Sequence, residues 1–182
     1  MEQSNPKARR VLAAGCVCGL LGSLALPWDA VSCVLYALAS VLLAVGCGML
    51  RKIRPEYGSA AKPAVAAAVA FALGTVLDGG SLAQMPMVAG AAFLYFSIAY
   101  YANGAVQEAG VREARGGAPR PPKAAIRFEY AAGLFVLALL VGEMMPAILR
   151  LAQVVAMAAM GVGFVQLTRF MLKGPDREEP AE

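Results

Sequence analysis

From Ala30 to Leu50 the chain carries no charged side chain, and the run stops abruptly at Arg51-Lys52-Ile53-Arg54-Pro55. A helix needs about 20 such residues to cross the hydrocarbon of a bilayer. No backbone polar group can face lipid unpaired, so a run of this kind is stable there only as a helix that satisfies its own hydrogen bonds. Comparable runs recur along the chain, and six spans are expected: 11–27, 30–50, 63–77, 82–102, 125–144 and 147–171. The chain is 59% hydrophobic and only 15% charged over 182 residues, too apolar for one small core to hide. The expectation is an all-α integral membrane protein with its spans in residues 1–173 and a disordered polar tail at 174–182.

The spans pair into three helical hairpins. Their turns are Pro27-Trp28-Asp29, Asp78-Gly79-Gly80-Ser81 and Gly142-Glu143-Met144-Met145-Pro146. The N-terminus mimics a signal peptide, but the chain stays hydrophobic after Asp29, so 11–27 reads as a first span. Only five apolar residues separate Arg10 from Cys16, too few for a lipoprotein signal. The first and third spans are short, and flanking Arg10 and Lys62 are expected to snorkel. The polar loop 103–123 reads as a short helix near Ala105–Arg115, broken at Gly116-Gly117 and extended through Pro119, Pro121 and Pro122.

Charge sets the orientation. With both termini in the cytoplasm, every Lys and Arg except Arg150 falls on the inner side. That asymmetry is the positive-inside pattern and requires an even number of spans. It also accounts for the net charge of +4 without invoking nucleic acid. Trp28 then belongs at the outer interface, and Tyr57, Tyr101 and Tyr130 near the inner one.

Several chemistries are disfavoured. The chain has no His, which removes the commonest metal ligand and proton shuttle. No acid or base lies at the middle of a span, which counts against a proton-coupled carrier. Gly116-Gly117 lacks the Lys-Ser/Thr of a phosphate-binding loop. No acid–base pair is evident, so catalysis is not expected and no catalytic residue, metal or cofactor is assigned.

The candidate ligand site lies at the outer turns. Asp29, Asp78 and Glu143 are the acids there, and Arg150 is the one base. Asp29 and Glu143 can simply cap helix starts, whereas Asp78 follows a helix end, where the dipole disfavours an anion. Arg150 lies about one turn inside the last span, with Gln153 on a neighbouring face. It either snorkels to lipid headgroups or faces the bundle and pairs with an acid. Cys16, Cys18, Cys33 and Cys47 read as small buried fillers, since folding the first hairpin about Trp28 brings no two level. Gly15, Gly19 and Gly22, with Ala64, Ala68 and Ala72, allow close helix packing within the bundle or against a partner.

Size, topology and the small-residue first span resemble the substrate-binding components of energy-coupling-factor vitamin importers. The resemblance implies a small transport or solute-binding membrane subunit. Arg150 and the three outer acids make its mouth face outward, and six helices are half of a twelve-helix transporter, so a homodimer in the cell membrane is expected, or a partner membrane subunit beside it. The other reading of the same residues is a non-transporting sensor, assembly factor or accessory protein.

Overall fold

The structure, a computed structural model, describes residues 5–24, 30–77, 81–112, 126–128, 130, 131, 133, 134, 137, 141, 145 and 148–173. Among them every regular element is a helix. The long ones are α1 (Pro6–Leu24), α2 (Ala30–Leu50), α3 (Pro55–Val76), α4 (Ser81–Arg112) and α5 (Leu149–Lys173). Three are long and apolar enough to cross a membrane: α2, α3 and the stretch Met85–Ala105 of α4. In α1, Lys7, Arg9 and Arg10 occupy the first turns and leave a shorter apolar length.

Two helix limits differ from the expected spans. α3 begins at Pro55, not at Pro63, which lies inside it. Arg54 is extended (φ −146°, ψ 133°), as a residue before proline prefers, and Pro55 takes the first helical position, where its missing N–H is no loss. Glu56 in the first turn meets the positive helix end. The α2–α3 connection is therefore a tight turn, with Ile53 and Arg54 N–H donating to Leu50 O at 2.8 and 3.2 Å. Similarly, α4 runs without a break from Ser81 to Arg112, absorbing most of the separate loop helix expected at Ala105–Arg115.

Neighbouring helices are antiparallel, and glycines set the register. A Cβ on Gly15 would lie 3.1 Å from Leu42 Cβ, and one on Gly22 would lie 3.2 Å from Leu35 Cβ, so α1 and α2 pack antiparallel in this register. Between α3 and α4, Gly90 abuts Phe71 and Gly104 abuts Tyr57, while Ser97 Oγ donates to Ala60 O at 2.8 Å. Between α1 and α5, Gly19 abuts Phe164, and Cys16 Sγ donates to Met171 Sδ at 3.5 Å.

α2 is the hub of the described helices. Ser32 Oγ donates to Gly22 O of α1 at 2.7 Å. Tyr36 stacks on Phe71 of α3 at 5.2 Å and approaches Phe164 of α5 at 6.2 Å. Cys33 Sγ donates to Met87 Sδ of α4 at 3.7 Å. Phe128 meets Phe164 edge-on at 5.0 Å, which places that residue beside α5.

The interior mixes small residues with aromatic and large aliphatic ones, and the exterior is bulky and apolar. Ala8, Ala39, Ala60, Ala64 and Ala67 are fully buried, as are Ser32 and Ser40. Val31, Val34, Leu38, Val41 and Val45 form an exposed row along α2, and Val65, Val69 and Leu73 do so on α3. A water-soluble bundle presents a polar outer face instead. A bulky apolar exterior, with small residues at the closest helix contacts, suits helices that pack in lipid, where hydrophobicity does not drive them together. The chain is therefore of the helical membrane class.

Candidate functional site

Antiparallel packing sorts the ends of the bundle. One end gathers the start of α1, the α2–α3 turn and the ends of α4 and α5. It holds Lys7, Arg9, Arg10, Arg51, Lys52, Arg54, Arg112, Arg169 and Lys173. The other end gathers the end of α1 and the starts of α2, α4 and α5. Arg150 belongs to that second end, as the second residue of α5, and Gln153 follows one turn later.

The five residues of the candidate ligand site fare unequally. Asp29, Asp78 and Glu143 lie outside the described residues. Arg150 and Gln153 have described backbone only. Gly161 of α5 faces Ser23, the penultimate residue of α1, with its built Cβ 3.6 Å from Ser23 Cβ. Arg150 precedes Gly161 by eleven residues, roughly 16 Å along the helix axis. The backbone of Arg150 thus projects past the end of α1.

A hydroxyl cluster sits below that end, where α1 leaves off and α2 begins. Ser23 Oγ and Tyr36 Oη are 2.8 Å apart. Ser23 also donates to Gly19 O at 3.0 Å, so Tyr36 supplies the proton between the two hydroxyls. Ser40 Oγ donates to Tyr36 O at 2.8 Å. Buried hydroxyls require such partners, and here each of these serines has one. Sequence reasoning passed over this cluster because isolated Ser and Tyr in an apolar run carry no pattern.

The packing residues are placed in full. Gly15 and Gly22 face α2, and Gly19 faces the Phe164 ring, where a Cβ would come within 2.5 Å. Two of the three ladder alanines, Ala64 and Ala68, are buried and Ala72 is exposed, while the tightest positions are Ala60, Ala64, Ala67 and Phe71. Two of the three inner-interface tyrosines turn inward: Tyr57 and Tyr101 are buried with ring centroids 5.3 Å apart, while Tyr130 is exposed. Glu56 Oε2 and Gln166 Oε1 are buried atoms with no hydrogen-bond partner, and both lie toward the basic end.

The chain matches no protein-family model, no curated protein and no solved structure.

Proposed function

We propose that the protein is a six-span subunit of the cell membrane, with both termini cytoplasmic, that binds or moves a small solute through a polar mouth on its outer side. The observation that carries this reading is the sorting of charge between the bundle ends. Basic residues from three helices and the α2–α3 turn collect at one end, which is then the cytoplasmic face. Arg150 belongs to the other end, its backbone past the end of α1. One cation at that end, with the acids Asp29, Asp78 and Glu143 in the outer turns of the sequence, is suited to a zwitterionic solute.

One observation favours the second reading, a sensor or accessory subunit. The seam of α1, α2 and α5 is filled: Gly19 rests against Phe164, which is fully buried and wedged against Phe128. Tight filling leaves that seam no room for a passing solute. A binding site, if it opens, opens above it.

Native mass spectrometry of the full chain, extracted gently from its own membrane, separates the two. A bound non-lipid molecule that Arg150→Ala and Asp78→Ala both release supports the solute reading. A chain carrying lipid alone supports the accessory reading and makes Arg150 a snorkelling anchor.

A further inference from the structure

Two buried sulfur pairs cross the bundle, and neither is needed for any role described above. Cys16 of α1 points at Met171 of α5, with 3.5 Å between sulfurs. Cys33 of α2 points at Met87 of α4, with 3.7 Å between sulfurs. All four residues are nearly or completely buried, Cys16 completely and Met87 at 3% exposure. Each pair joins helices that are distant in sequence. Cys16 faces the level of residue 41 in the α1–α2 register, so the two cysteines are about eight residues apart in height, roughly 12 Å. Cys47, also buried, lies toward the basic end on the same α1–α2 seam.

We propose that the Cys16–Met171 and Cys33–Met87 pairs are binding sites for a soft monovalent metal ion, of which Cu(I) is the physiological type. Thiolate and thioether are the donors that select such ions. Charge favours this choice over a divalent metal. On binding, the S–H bond breaks, a sulfur–metal bond forms and the proton leaves to water. A monovalent ion with one thiolate and one neutral thioether is then uncharged, so it avoids the cost of a net charge within a bilayer. The metal keeps its oxidation state throughout.

The geometry needs little change. A metal bridging two sulfurs at about 2.3 Å each, the metal–thiolate length typical of zinc, separates them by about 4.6 Å in a linear arrangement. Each pair opens by roughly 1 Å, and methionine, with three rotatable bonds, can supply that movement. Cys18 is only half-buried, which makes it the internal control.

The test is anaerobic Cu(I) titration of the full chain in detergent, in competition with bathocuproine disulfonate. Two equivalents are expected. Cys16→Ser with Met171→Leu removes one equivalent, Cys33→Ser with Met87→Leu removes the other, and Cys18→Ser removes none. Met→Leu alone nearly conserves volume and is expected to weaken its site at least tenfold with the circular dichroism spectrum unchanged. No competition by the native chain, unchanged binding in the two paired variants, or loss in Cys18→Ser would overturn the proposal.

Discussion

Gly19 shows how much a single missing Cβ contributes. The Phe164 ring occupies the space that a methyl group would need, and it cannot easily swing aside, since Phe128 and Tyr36 hold its other faces. Gly19→Ala is expected to destabilise the bundle by about 1–3 kcal/mol, the usual cost of overpacking. The unfolding midpoint in SDS mixed micelles reads this directly, and adding Phe164→Leu should recover much of the loss. Gly48 is the contrasting case, with nothing near its missing side chain. Gly48→Ala is expected to be neutral or to stabilise by up to about 1 kcal/mol through helix propensity. The hydroxyls are worth less individually. Ser97→Ala removes the bond to Ala60 O and should cost about 0.6 kcal/mol, the average for interhelical bonds in a membrane. At this scale the sequence was nearly silent. Ser23, Tyr36, Cys33 and Met87 acquire meaning only from the helices they meet, and those contacts span from 13 to 54 residues of sequence.

At the scale of elements, the first hairpin was legible and the second was only partly so. Pro27-Trp28-Asp29 leaves α1 and α2 no choice but to fold back, and the resulting register puts Gly22 beside Leu35. A Gly22→Cys/Leu35→Cys pair starts from a Cβ separation of 3.2 Å, a few tenths of an ångström short of the usual disulfide range of about 3.5–4.5 Å, so a small parting of the helices allows the bond. In a background with the native cysteines replaced by Ala, mild oxidation with iodine should link these two peptides, as read by mass spectrometry; Gly48→Cys with Leu35→Cys should not link. The start of α3 was not legible, because Pro55, Gly58 and Pro63 all look like loop residues. Pro55 in fact begins the helix, and Gly58 leaves space for the stem of Arg51, whose Cγ and Cδ lie 3.0 and 3.1 Å from the position of its missing Cβ. The inward face of α3 was read from small-residue spacing and was right at Ala64 and Ala68 but not at Ala72. An alanine-rich helix is apolar all round, so only its neighbours decide that Ala67 faces in and Ala72 faces out.

For the whole molecule, hydropathy pointed to a membrane protein, and the structure adds an apolar outer surface on α2 and α3. The exposed valines of α2 and α3 would meet water at a cost unless hydrocarbon covers them. The candidate ligand site was legible only as a list of charged residues near the turns. Its convergence depends on geometry that no spacing encodes, and Arg150 stands past the end of α1 rather than over the hydroxyls. Orientation makes a separate prediction. A membrane-impermeant thiol reagent applied from outside should label a cysteine placed at Gly79 and spare one placed at Lys52, in a cysteine-free background. Labelling at Lys52 alone would invert the topology.

The central claim is that the valine row of α2 lies in lipid. The chain has one tryptophan, Trp28, so a Trp28→Phe background lets a new tryptophan report on its own surroundings without touching the cysteines. Tryptophan placed singly at Val34, Val41 and Val45 in bilayers of brominated lipid gives the decisive reading. Strong quenching by the brominated chains, with little quenching by aqueous acrylamide, is the predicted result. Quenching by acrylamide without quenching by the lipid would contradict the membrane-embedded bundle.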